Sequence, residues 1–245
     1  MKTYVLGDIH ANYNALIEVL TKANFDYEND QLISLGDIVD RGTEPYLCIF
    51  ELQKIKNLIA IKGNHDVWLK DYINQDSSIP STTASLTTIK WQGLDVEDKR
   101  KVEQFLNSQI DYYIDKNNNL FVHAGIDRME TMKEQLFSTL VYDRHFIDEL
   151  MSMQKMKHLT KIPTISDFNE IFVGHNATIQ FKIVNDVYKK EKGWNNLVLD
   201  PIHIHNVWMM DTGCGFQVGK LTLMNVETKE CFQSEIKQLE KNGDN

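Results

Sequence analysis

A chain of 245 residues that is 42% hydrophobic can bury an enzyme-sized core without disulfides as staples, which excludes the disordered and disulfide-scaffold classes. Its formal charge of −9, with acidic residues spread along the chain, argues against a polyanion-binding surface, so nucleic acid is not an expected partner. Cys48, Cys214 and Cys231 are scattered and form no C-x-x-C pair, and no apolar run is long enough for a signal peptide or a membrane span; a monomeric cytoplasmic protein with no membrane partner is the expectation.

Residues 3–6 read as a buried strand, followed by a Gly7-Asp8-Ile9-His10 loop and a helix with Leu16, Val19, Leu20 and Ala23 on one face, capped by Asn12 or Asn14. The unit repeats with a strand at 32–35, a loop at 36–42 and a helix through Tyr46, Ile49, Phe50 and Leu52. A third copy has its strand at 58–61 and its loop at Lys62-Gly63-Asn64-His65-Asp66. Alternation of this kind favours an α/β layered fold. The Ser/Thr-rich stretch 76–88 reads as an exposed loop or an insertion over the site, 96–107 as a charged helix, and 119–122, 171–173 and 207–210 as further strands. Val218-Gly219-Lys220 reads as a hairpin turn between two late strands. One domain over residues 1–235 with a polar tail at 236–245 is the expected organisation.

Asp8 and His10 alternate on an extended loop, so both side chains can face one way from a strand end. Asp37 and Asn64-His65 occupy equivalent points of the next two units, and convergence at the carboxyl ends of adjacent parallel strands is where open α/β sheets bind ligands. His123 and His175 each end an apolar run beside a small residue. Oxygen and imidazole donors without thiolate suit Mn²⁺, Fe or Zn²⁺ better than Ca²⁺.

Taken in order, Gly7-Asp8-Ile9-His10, Gly36-Asp37-Ile38-Val39-Asp40-Arg41-Gly42, Gly63-Asn64-His65-Asp66, His123-Ala124-Gly125, Gly174-His175 and Asp211-Thr212-Gly213 resemble the phosphoprotein phosphatase family of binuclear metallophosphatases. That family includes serine/threonine phosphatases and diadenosine tetraphosphate hydrolases. The resemblance implies a calcineurin-like α/β fold, a central β-sandwich flanked by helices, with two divalent metal ions, Mn²⁺ foremost. It further implies Asp8, His10 and Asp37 on the first metal and Asp37, Asn64, His123 and His175 on the second. His65 oriented by Asp40 would be the general acid, Arg41 would bind phosphate, and Arg144 is the candidate for a second phosphate-binding arginine. Hydroxide, not a side chain, would then be the nucleophile.

Ala11, Asp66 and Ala124 depart from the family pattern, while Ala177, where broader metallophosphoesterases carry a second histidine, favours the phosphoprotein phosphatase branch. His203 and His205 read as structural or surface residues, and Trp68, Trp91, Trp194 and Trp208 as packing residues. The expected activity is phosphomonoester hydrolysis on phosphoserine or phosphothreonine of a protein, or on a small phosphoester. Dinucleoside polyphosphate hydrolysis is the enzymatic alternative, and a non-catalytic phosphate-binding module the alternative from another class.

Overall fold

The computed structural model describes residues 1–74, 86–156, 167–184, 187–190 and 197–235. The first half runs β1 (Thr3–Leu6), α1 (Tyr13–Lys22), β2 (Gln31–Ser34), α2 (Pro45–Leu52), β3 (Asn57–Ala60), α3 (Asn64–Ile73), α4 (Leu86–Gly93) and α5 (Val96–Ser108). There follow β4 (Tyr112–Ile114), β5 (Leu120–Val122), α6 (Phe137–Tyr142), α7 (His145–Met156), β6 (Ile171–Val173), β7 (Phe181–Val184) and β8 (Val187–Lys190). β9 (Ile202–Ile204), β10 (Val207–Met209), β11 (Thr222–Asn225) and β12 (Cys231–Gln233) complete the chain.

The first sheet has the order β12-β11-β1-β2-β3 and the second β4-β5-β6-β10-β9. Within them β1, β2 and β3 are parallel, as are β5, β6 and β10, while β12/β11, β11/β1, β4/β5 and β10/β9 pair antiparallel. Period-two alternation sorts each strand's side chains between two cores. Val5, Ile33 and Met224 of the first sheet meet Phe121 and Phe172 of the second in an inner layer. Their neighbours Tyr4, Leu6 and Leu32 face the layer of α1, α2 and α5, and Leu120, Val122, Ile171 and Val173 face α7. Phe121 and Phe172 stack at 4.8 Å with their planes 6° apart, both fully buried. Truncating either to alanine would cost about 3–5 kcal/mol.

α1 buries Leu16, Val19 and Leu20, as its periodicity predicts, and Asn12 caps it by accepting from Ala15 N at 3.4 Å. α5 is capped by Asp95, which accepts from Asp98 N, and seats Val102, Phe105 and Leu106 against the first sheet. Two expectations need correction. Residues 86–88, read as loop, begin α4; residues 76–85 lie outside the described residues. The late hairpin turns not at Val218-Gly219-Lys220 but after Asn225, whose Oδ1 accepts from Glu227 N and Thr228 N while Lys229 adopts φ 62°. Asn225 closes the turn as an Asx cap, a signal as strong as the glycine that drew attention. The proposed tail at 236–245 also lies outside the described residues.

Candidate metal centre

Six strand ends converge. β1, β2 and β3 lead into Asp8, Asp37 and Asn64, while β5, β6 and β10 lead into His123, His175 and Asp211. Backbone hydrogen bonds lock the loops together: Ile9 N and His10 N both donate to Asp37 O, Ala11 N donates to Ile38 O, and Gly174 N donates to His123 O. The two sheets are hooked by the Asp8 carboxylate, which accepts from His175 N at 3.1 Å. Among the described residues, six of the ten non-glycine residues with positive φ are His10, Ala11, Asp37, Asp40, Arg41 and His175. Each such conformation costs on the order of 1–3 kcal/mol and persists only where its surroundings over-determine it. Gly36 has φ 98°, and a Cβ there would meet the Gly63 backbone, so the second and third loops touch main chain to main chain.

Two groups of side chains could each hold a cation: His10, Asp37 and His65, and Asp37, His123 and His175. Asp37 belongs to both and is itself fixed at the N-terminus of α3, where its Oδ1 accepts from His65 N at 2.9 Å. His123 and His10 share one construction. His123 Nδ1 donates to Leu35 O at 2.7 Å and His10 Nδ1 lies 3.2 Å from Val39 O, while the nearby Tyr142 main chain favours a protonated His175. With Nδ1 protonated toward a carbonyl, Nε2 presents a lone pair. Among the described residues, the buried Nε2 atoms of His10 and His175 find no hydrogen-bond partner. His123 Nε2 faces Asn64 Oδ1 at 3.2 Å and Asp37 Oδ1 at 3.5 Å. Lone pairs pointed at one another in a buried space are repulsive unless a cation lies among them, so the donor set fits divalent ions.

Protonation agrees. Burial pushes His10 and His175 down to about 3 and lowers His123, keeping all three neutral. Burial opposes the charge on Asp37, yet His123, His65 and His10, once charged in acid, hold its carboxyl well below the usual range. Asp8 lies beside the two groups, its pKa raised by burial and then by Asp211 and Asp37.

His65 is built differently from the other histidines. Its Nδ1 lies 2.8 Å from Asp40 Oδ2, and although burial works against the imidazolium, this bond and the charge of Asp37 raise its pKa. Its Nε2 faces Arg41 Nη2 at 3.4 Å and Asp37 Oδ2 at 4.0 Å. Arg41 in turn lies over the Phe216 ring at 5.0 Å. Arg144 is exposed at the rim; its Nη1 donates to Asn176 Oδ1 at 3.3 Å, and its charge helps to lower His123 and His175. The adjacent Asp143 instead caps α7 through Phe146 N, so the sequence neighbour does not hold the arginine. His203 stacks on Trp208 at 4.1 Å, in keeping with a structural role.

A family model for calcineurin-like phosphoesterases matches residues 1–229. The chain belongs to the calcineurin-like phosphoesterase family. It is a metal-dependent phosphoesterase with a binuclear site. A symmetrical bis(5'-nucleosyl)-tetraphosphatase of Mannheimia succiniciproducens is 24% identical, with 99% of this chain and 100% of that protein covered. A serine/threonine-protein phosphatase 1 of Salmonella typhimurium is 36% identical, but over only 26% of this chain and 29% of its own. Among solved structures, a candidate diadenosine tetraphosphatase superposes with a TM-score of 0.64 at 16% identity, covering 95% of this chain and 92% of that one. The fold expectation therefore stands, while the resemblance holds at the level of this family rather than of its protein-phosphatase branch.

Four residues of this phosphoesterase support the site in roles that the sequence did not assign, Asp66 and Asp211 having been noted only as parts of motifs. Asp66 is fully buried and accepts from Ile38 N, Val39 N, Gly63 N and Gln109 Nε2, tying the second loop to the third. Burial and the charge of Asp37 push its pKa up to about 7. Its place three residues after Gly63 is that of a capping carboxylate, a signal the helix-start pattern offers. Asp211, raised to about 6 chiefly by burial, accepts from Gly213 N. Thr87 of α4 accepts from Asp40 N at 3.1 Å and so braces the partner of His65. Asn176 is 4% exposed, and among the described residues its Nδ2 has no hydrogen-bond partner.

Proposed function

We propose that this site hydrolyses dinucleoside polyphosphates, rather than the phosphoserine or phosphothreonine of a protein. The observation that carries the substrate class is the end-to-end match to a symmetrical bis(5'-nucleosyl)-tetraphosphatase, against a match to a serine/threonine phosphatase confined to about a quarter of the chain. In this reading Asp8 joins His10 and Asp37 on one divalent ion, with His65, the third member of that side-chain group, turned instead to proton donation, and Asp37, Asn64, His123 and His175 hold the other, with Mn²⁺ the expected metal. When bound, such a pair supplies Lewis acidity toward water and phosphate.

The chain's own residues do the rest. Arg41 and Arg144 present planar forks to phosphate oxygens, a geometry lysine does not match. Substrate oxygens would take the Arg41 donor that faces His65 Nε2 at 3.4 Å, freeing that nitrogen to carry a proton. Asp40, on Nδ1, favours the charged imidazole, so His65 is poised to protonate the departing oxygen. Symmetric cleavage adds water across the central anhydride bond and releases two nucleoside diphosphates.

The test is turnover with Mn²⁺ of diadenosine tetraphosphate, read as ADP, beside phosphate release from a phosphothreonine peptide. Efficient ADP formation with a slow peptide supports the proposal. The reverse outcome returns the chain to protein dephosphorylation, and inactivity on both with metals bound would favour a phosphate-binding module.

A further inference from the structure

A ladder of rings leaves the catalytic centre on the side of His65. Trp68, on α3 one turn after the histidine, lies 4.5 Å from the His65 ring in an edge contact. Tyr142, at the end of α6, lies 6.5 Å from Trp68 with planes 33° apart. Phe137, one α6 turn further out, lies 6.3 Å from Tyr142. Such spacings are those of interacting aromatic pairs. A ladder serving only to pack helices would be buried, as Phe121 and Phe172 are. Here Tyr142 is 36% and Phe137 43% exposed, and Leu136 beside them is 69% exposed. Trp68 was expected to be a packing residue; it instead joins the acid to an open apolar face.

We propose that Trp68, Tyr142 and Phe137 form a stacking wall for the base of the nucleotide that leaves past His65, an inference that rests on the dinucleotide reading above. The general acid marks the leaving-group side, because it must reach the bridging oxygen that departs. Between that oxygen and the base lie a diphosphate and a ribose, so the ring that receives the base should stand at a remove from the acid. Tyr142 does, two ring contacts out. Every base has a π-face, so the wall would prefer nucleotides over simple phosphates without choosing strongly among bases. Lys62 Nζ, 5.7 Å from the Phe137 ring centroid, closes the outer end, its charge paired with Asp111 at 2.6 Å.

The test compares ADP with pyrophosphate, which share the charged end and differ in the base. Calorimetric titration of the Mn²⁺-loaded protein should show ADP affinity falling about tenfold in Tyr142→Leu, and less in Phe137→Ala, with pyrophosphate affinity unchanged. Tyr142→Phe keeps the ring and should retain ADP binding. Equal weakening of both ligands, or unchanged ADP affinity in Tyr142→Leu, would overturn the wall. Diadenosine tetraphosphate turnover by the wild type separates the two ideas. Turnover with ADP binding indifferent to Tyr142 sinks the wall alone, whereas Tyr142-dependent ADP binding without turnover sinks the hydrolase reading and leaves the wall as a nucleotide site.

Discussion

Asp8, His10, Asp37, Asp40, Arg41, Asn64 and His65 hang from three consecutive βα loops of the first sheet, whereas His123, His175 and Arg144 arrive from separate points around the second. The first group is held by main-chain bonds between loops and by the buried Asp66, which ties Ile38 and Val39 to Gly63. The second is held residue by residue: His123 by Leu35 O of the other sheet, His175 through its main-chain N by Asp8, Arg144 by Asn176. One half is therefore a cooperative unit and the other a set of separately tethered parts. Damage should spread in the first and stay local in the second.

The largest effect belongs to Asp37, which serves both cation groups. Asp37→Asn should reduce turnover on the order of a thousandfold or more and lower Mn²⁺ stoichiometry, measured by metal analysis after gel filtration. His65→Asn should keep its metals and lose about a hundredfold on a phosphothreonine ester, whose alkoxide must be protonated. The loss should be smaller on diadenosine tetraphosphate, because a nucleoside diphosphate leaves more readily. Equal losses on both substrates would argue that His65 does something other than protonate.

Asp66→Ala tests cooperativity itself. It strands several buried N–H groups and should weaken cation affinity roughly 10–100-fold although Asp66 lies in neither cation group, a drop that a competition titration would read. An unchanged affinity would mean that the first-sheet loops hold without it. Asn176→Ala, in the tethered half, should raise KM by about threefold to tenfold through a loosened Arg144, with kcat nearly kept. The smallest effect is a control on the outer face of the first sheet. Glu51 is buried, which alone would raise its pKa, but Lys54, Tyr27 and Tyr13 together lower it below 4.5. A depressed carboxyl contributes stability above its unfolded pKa and loses it as pH falls through the folded value. Melting curves of the wild type and Glu51→Gln should therefore differ at neutral pH and converge in acid.

The same contrast explains what the sequence revealed. The first half was legible because each βα unit repeats one grammar, an apolar run, a glycine and then a polar side chain, which puts Asp8, Asp37 and Asn64 at equivalent points. α4 escaped because Leu86–Gly93 emerges from a Ser/Thr-rich stretch with weak periodicity, and with it went the support of Asp40 by Thr87. α6 and α7 were not anticipated either. The contact of Asn176 with Arg144 spans two sheet-connecting segments that no local pattern relates. The ring contacts of Trp68 lay beyond a linear reading, because they depend on what lies across from it, here Tyr142, far along the chain.

The close approach of Gly36 and Gly63 has a consequence for how this protein can change. A methyl group at Gly36 would run into the backbone of Gly63, and one at Gly63 into the backbone of Asp37. Enlarging one position cannot be compensated by shrinking the other, since both are already bare. The two glycines thus behave as a single inherited character: any descendant that keeps this loop contact must keep both, and one that loses either must find another way to bring its second and third loops together.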